Sequence, residues 1–201
     1  MVYPRIQKVT GSDKLVSENQ MVGYHEHLAQ EHRLLFLTGE LGEKLDFNTH
    51  LLALDSLSHK PIKLVITSGG GLLDTALILY DTLKLLHSPV YTLGRWCCSA
   101  AVLILAVGKK RYLLPHSKVM LHLPFAQLAG DVHLLEIQHR QMQKYREVVV
   151  DILLDCGVTR NREQILNDID REFWLDPVEA IEYGLADAVM APSDMARWLR
   201  S

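Results

Sequence analysis

Cysteine is scarce: 201 residues hold three, Cys97, Cys98 and Cys156. Three thiols cannot form a disulfide framework in a chain of this length. No CxxC pair occurs, so a zinc knuckle and a thioredoxin-type redox pair both lack their spacing. This usage fits a reducing compartment and gives the expectation of a cytoplasmic protein. Long apolar runs are also missing. The oiliest stretch, Ala100–Val107, falls far short of the ~20 residues a membrane helix requires. The opening MVYPRIQKVTGSDKLVSENQ has no apolar segment of the kind a secretory signal carries. Neither charge sign dominates: 21 Lys and Arg stand against 24 Asp and Glu, for a net charge of −3. That balance gives no electrostatic case for nucleic acid or an anionic membrane as partner. Ten histidines are present, but His25-Glu26-His27 and the His133/His139 pair lack HExxH spacing, so no metal is expected.

Apolar residues, by contrast, are plentiful, at 48% with a mean hydropathy of +0.05. Such a composition excludes a disordered chain and fits one domain with a substantial core. With no membrane to enter, the apolar surplus must go into that core or into a subunit interface.

Residues 1 to about 30 are mixed polar without a clear period and read as an arm or loop. His32–Gly39 reads as a short strand, Asp46–Leu57 as a helix, Pro61–Thr67 as a buried strand and Leu72–Leu86 as a helix. Val90–Leu93 follows as a strand, Gly94–Cys98 as a turn and Ser99–Val107 as an apolar helix stopped by Gly108. Arg111–Leu114 and Val119–Leu123 read as two strands. Asp131–Leu154 is a long helix, polar in its first half, and Gly157 ends it. Asp176-Pro177 supplies an N-cap and first turn for a helix that stops at Gly184, before a short strand at Ala188–Met190. Strands alternating with helices of this length predict an α/β domain with a mainly parallel sheet.

Four features could carry chemistry. Ser68-Gly69-Gly70-Gly71 joins a strand to a helix, where glycines let backbone N–H groups approach a ligand oxygen. Asp74 stands where a dinucleotide fingerprint needs its third glycine, and no Gly-Lys-Ser/Thr follows, so neither nucleotide motif is present. Read alone, the glycines equally make a tight turn. Ser99 opens an apolar helix, where it is an N-cap or a nucleophile with the Ala100 amide beside it. Cys98 is the rival nucleophile. His122, at the end of Val119-Met120-Leu121-His122-Leu123-Pro124, is a core histidine or a general base. The acidic stretch Asp168-Ile169-Asp170-Arg171-Glu172 is a solvated loop or the source of a carboxylate that orients His122. Together they supply a nucleophile, a base, an orienting acid and oxyanion donors, the parts needed for acyl transfer to water.

From about Leu34 to Met190 the chain resembles the ClpP family of self-compartmentalised serine peptidases. The resemblance rests on Phe36-Leu37-Thr38-Gly39, Ile66-Thr67-Ser68-Gly69-Gly70-Gly71, Tyr80-Asp81-Thr82, Leu114-Pro115-His116-Ser117, Val119 to Pro124, and Glu179 to Asp187. It implies a ClpP/crotonase-like α/β fold with a protruding long helix. Residues 1–30 would then be an N-terminal arm or axial-loop segment, and 31–201 one peptidase domain. It also implies heptameric rings, homomeric or mixed with a ClpP paralogue, stacked as a tetradecamer. A hexameric AAA+ Clp unfoldase would be the partner that consumes ATP, with no cofactor on this chain. Carried over residue by residue, Gly71 takes the oxyanion position and His122 the histidine's. Counting forward from Gly94 makes Cys98 the nucleophile. Counting back from Ala106-Val107-Gly108 makes it Ser99, with Ala100 as the second oxyanion donor, and the backward count runs through a helix that tolerates no length change. Counting back from Glu179-Ala180 puts Glu172 at the acid's position, where the family has Asp; Asp170 is the alternative.

Besides Glu172 for Asp, the chain departs from the family pattern where Gly69 replaces a proline, where Trp96 and the Cys pair precede the nucleophile, and where Phe125 to Gly130 lacks tandem glycines. Two other readings stand beside the peptidase, the first motivated by these departures and the second by a shared fold and backbone oxyanion hole. One is a structural or regulatory subunit, inactive alone and working with an active paralogue. The other is a crotonase-type acyl-CoA enzyme.

Overall fold

The computed structural model describes residues 18–42 and 46–200. Its core is a six-stranded sheet in the order β1-β2-β3-β4-β5, with β6 also paired to β4. The strands are β1 (Leu34–Thr38), β2 (Ile62–Ser68), β3 (Val90–Cys98), β4 (Lys110–Leu121), β5 (Phe173–Leu175) and β6 (Ala188–Val189). The first four run parallel. Between them come α2 (Asp46–Leu57), α3 (Leu73–Leu85) and α4 (Ala101–Ala106), and after β4 the long α5 (Val132–Asp155). The fold is the expected α/β architecture with a mainly parallel sheet.

Alternation along β2 shows how the sheet sorts its side chains. Ile62, Leu64 and Ile66 enter the main core with α3, α4 and the C-terminal half of α5. Val65 faces the opposite side, in a smaller cluster with Leu34, Leu93 and Met190. That second face is covered by α1 (Glu18–His32) and α8 (Pro192–Arg200) through Leu28, Met195, Trp198 and Leu199. Six consecutive residues, Ala101–Ala106, are all buried, which is why α4 is apolar all round.

Several elements differ from the sequence-based expectation. The stretch read as an arm or loop is helical from Glu18 to His32, with the residues before it outside those described. Among its described side chains, Leu28 and Ala29 pack against the sheet's two clusters. The expected turn Gly94–Cys98 is strand, because β3 continues through a bulge between Gly94 and Trp96. The two strands expected at 111–114 and 119–123 are one strand, β4. Its register against β3 jumps from Leu113 to Lys118. Ser117 bridges that excursion: its Oγ accepts from the Leu114 amide at 2.9 Å and donates to the Gly94 carbonyl at 2.7 Å. Each half of β4 then takes its own outer neighbour. Tyr112 and Leu113 pair with β6, whereas Val119–Leu121 pair with antiparallel β5. The helices α6 (Arg162–Asp168), capped by Asn161, and α8 were not expected. The helix α7 (Pro177–Tyr183) has the expected Asp176 cap and ends at Gly184 in the left-handed conformation.

The sheet end opposite the carboxyl ends of the strands is pinned by Arg33 and Asp55. Arg33 donates to the carbonyls of Leu54 and Ser58, each at 2.8 Å, and to Ser88 Oγ at 3.0 Å. The buried Asp55 carboxylate accepts from the Ser88 amide at 2.7 Å and the His87 amide at 3.2 Å. Burial alone would raise its pKa. The hydrogen bonds from Ser88, His87 and His59 outweigh burial and hold it well below the usual carboxylate range. A depressed pKa contributes stability above the unfolded value, near 3.9, that is lost as pH falls below it. Asp55→Asn is therefore expected to lower stability at pH 7 by about 1–3 kcal/mol, the range for weakening hydrogen bonds to a buried carboxylate. The gap to wild type should shrink as pH falls from about 5 to about 2, because the Asp55 carboxylate of the unfolded wild-type chain takes up a proton that the folded chain does not. Thermal melts across that range check it; a gap independent of pH would refute it.

Candidate active site

The carboxyl ends of β2, β3 and β4 converge on a cavity of about 150 Å³ lined by Gly71, Ser99, Ala100 and His122. Its apolar walls include Leu73, Leu103, Val149 and Phe125. Ligand sites in parallel sheets characteristically form at this end.

Ser99 does not cap the helix, as its position in the sequence suggested. It lies between β3 and α4 with φ +54°, in the left-handed region, and Ala100 is the N-cap. A non-glycine residue held there stores strain of roughly 1–3 kcal/mol, and the surrounding bonds maintain it. The Ser99 amide donates to the Met120 carbonyl at 2.7 Å, tying the turn to β4. Strand, sharp turn and helix together present the serine hydroxyl at the top of the sheet.

The glycine run has two tight positions and one open one. A Cβ on Gly70 would lie 2.7 Å from Ser99 Cβ and 2.8 Å from the Cys98 carbonyl oxygen, at φ +95°. A Cβ on Gly71 would meet the Leu41 backbone at 2.5 Å, at φ +138°. Gly69 has open space around its Cβ direction. Leu41 holds the turn through its neighbours: its amide donates to the Gly70 carbonyl and its carbonyl accepts from the Leu72 amide, both at 2.7 Å. No acceptor among the described residues takes the Gly71 or Ala100 amide, so both N–H groups are available to an oxygen in the cavity. Sequence reasoning found Gly71 but not the contact of Gly70 with the serine turn; the unbroken glycine triplet was its only trace.

His122 follows β4. Its Nδ1 donates to the Leu123 carbonyl at 2.6 Å. A carbonyl only accepts, so this bond sets the tautomer and leaves Nε2 with its lone pair. Neither candidate carboxylate is hydrogen-bonded to the imidazole. Asp170, with a side chain 60% exposed, pairs with Arg171 at 3.2 Å. Glu172 accepts from the Trp174 indole Nε1 at 3.0 Å. Position favours Glu172: β4 and β5 pair Met120 with Trp174 and Leu121 with Phe173, and one further step of that ladder sets Glu172 across from His122. Directly opposed residues share a sheet face.

Cys98 is 3% exposed. Burial, and secondarily the Glu172 carboxylate, push its thiol up to about 11. Thiolate is then scarce at neutral pH, and thiolate is the reactive form. Trp96 and Trp174, 42% and 44% exposed, meet in a tilted ring contact with centroids 5.7 Å apart and join the β3 bulge to β5. The role of Trp174 was not legible in the sequence.

Residues 17–193 match a family model described as Clp protease. The chain is 39% identical over 170 residues to the ATP-dependent Clp protease proteolytic subunit 1 of Rhodopirellula baltica, covering 81% of this chain and 74% of that protein. It is 35% identical over 164 residues to the ATP-dependent Clp protease proteolytic subunit of Bacteroides fragilis, covering 79% of each. Subunit 2 of Treponema pallidum, named likewise, is 33% identical over 162 residues, covering 77% of this chain and 80% of that protein.

Proposed function

The chain belongs to the Clp protease family, whose members are serine-type peptidases, and on that premise we propose that it is the proteolytic subunit of an ATP-dependent Clp protease that hydrolyses peptide bonds of unfolded proteins. The observation that carries this reading is the convergence of Ser99, His122 and the Gly71 and Ala100 amides on one cavity. Ser99 Oγ attacks the scissile carbonyl, and His122 Nε2 takes its proton. The two amides hold the oxyanion, and the imidazolium returns the proton to the leaving amine. Water then repeats the sequence on the acyl-enzyme. Glu172 orients His122 in this scheme, with Asp170 the alternative. The high thiol pKa of Cys98 favours serine as nucleophile.

The protein works as heptameric rings stacked in pairs and fed by a hexameric AAA+ unfoldase that consumes the ATP. The assembly is cytoplasmic, and this subunit itself needs no cofactor. Exposed apolar side chains support assembly: Phe125 is 83% exposed, Val132 68% and Ile137 56%. No described helix is long and apolar enough to cross a membrane.

One observation favours a second reading, a subunit inactive alone that works beside an active paralogue: His122 Nδ1 is engaged by the Leu123 carbonyl and by no carboxylate among the described residues. A fluorophosphonate probe separates the two. Labelling of Ser99 in the isolated protein, mapped by mass spectrometry, is expected. Labelling only in the presence of a paralogue would establish the second reading, and labelling in neither case would refute the peptidase assignment.

A further inference from the structure

Glutamate stands where the family resemblance leads one to expect the shorter aspartate. Its extra methylene adds a rotatable bond and moves the carboxylate by more than an ångström, a displacement to which a catalytic constellation is sensitive. A glutamate in this place therefore needs something else to fix its carboxylate. The molecule supplies a donor two residues further on, within β5: Trp174 Nε1, 3.0 Å from Glu172 Oε2. That indole is itself held. Its centroid lies 5.7 Å from that of Trp96, at the β3 bulge that leads into Cys97, Cys98 and Ser99. The donor that grips the carboxylate is thus braced against the strand that delivers the nucleophile.

We propose that Trp174 is a positioning residue, whose N–H fixes one oxygen of Glu172 so that the other can accept the His122 Nδ1 proton. This inference rests on the roles given above to Ser99, His122 and Glu172. A carboxylate has two oxygens and about four acceptor sites, so the indole bond leaves a complete oxygen for the imidazole. A hydrogen bond to an ionised acceptor is strong and directional enough to select one rotamer. The remaining step to a connected triad is a turn of the imidazole from the Leu123 carbonyl to that oxygen. The titratable groups around Glu172 are few. Cys98 faces it from β3 and His122 follows β4. On its own loop, the Asp170 charge is taken up by Arg171.

Trp174→Phe keeps an aromatic ring against Trp96 and removes the N–H together with one ring of the indole. In the full-length protein, in the assembly that cleaves a fluorogenic peptide, kcat should fall about tenfold with KM within twofold of wild type. The decisive measurement is coupling. In the Glu172→Asp background, where the shorter side chain has less freedom to lose, Trp174→Phe should reduce kcat less than twofold. Equal losses in the two backgrounds, or a wild-type kcat for Trp174→Phe alone, would overturn the proposal. If the phenylalanine variant does not assemble, benzothienylalanine at position 174 preserves the bicyclic shape without the donor and must show the same loss. Fluorophosphonate labelling of Ser99 keeps the two levels apart. Labelled wild type with no effect of Trp174 defeats this inference alone; no labelling in any assembly defeats the peptidase reading beneath it.

Discussion

Ser99→Ala is expected to reduce peptide turnover by about 10⁴–10⁶-fold while leaving the fold and assembly intact. The residual rate is what binding and the two backbone amides provide without a nucleophile. His122→Ala should lose a similar amount, and the double variant little more, because the pair acts as a unit. Cys98→Ala is the companion measurement. Its thiol is buried and held protonated, so removing it should change turnover no more than a few-fold. Steady-state hydrolysis of a fluorogenic peptide by the four variants decides the matter. If Cys98→Ala were inactive and Ser99→Ala active, the forward count from Gly94 would be right and the serine assignment wrong.

Gly70→Ala should nearly abolish activity from a position that carries no reactive group. The added methyl would press on Ser99 Cβ and the Cys98 carbonyl at under 3 Å, and alanine is strained at φ +95°. The turn can accept it only by moving the nucleophile, and displacements near one ångström cost about a hundredfold. A loss of at least that size in kcat/KM is expected, together with a lower melting temperature. Gly69→Ala, one residue earlier, faces open space and should stay within about 0.5 kcal/mol of wild-type stability. Comparable losses in both variants would mean that the run is merely a turn, with no role in placing Ser99.

Much of the architecture was legible because it is written in local periodicity. The helix expected at Asp46–Leu57 spans those residues, and α3, α5 and α7 end within a residue or two of their expected limits. Misreadings fall where long-range pairing decides. Leu114-Pro115-His116-Ser117 looks like a strand break because a proline and polar residues interrupt it, yet Ser117 bridges the gap to a carbonyl twenty-three residues away. Gly94–Cys98 resembles a turn because it opens on glycine and carries a bulge, but neighbours on both sides pair with it. Helix α6 and strand β5 are too short to show a period. At the site, residue types and order identified Ser99, His122, Gly71 and Ala100 as candidates. They could not reveal the left-handed serine, which depends on the crowding of Gly70 against it, nor the indole that takes the Glu172 carboxylate.

The three tryptophans make the protein its own optical probe. Two of them, Trp96 and Trp174, are partly exposed and adjacent, so their emission is expected to be red-shifted and open to quenching. The third, Trp198, is packed with Tyr112 and the α8 cluster and is less exposed than the other two, so its emission is expected to lie further to the blue. Replacing Trp198 by Phe leaves a chain whose tryptophan fluorescence comes entirely from the Trp96–Trp174 pair. The seating of Glu172 against Trp174 can then be followed in real time, without a label and without turnover.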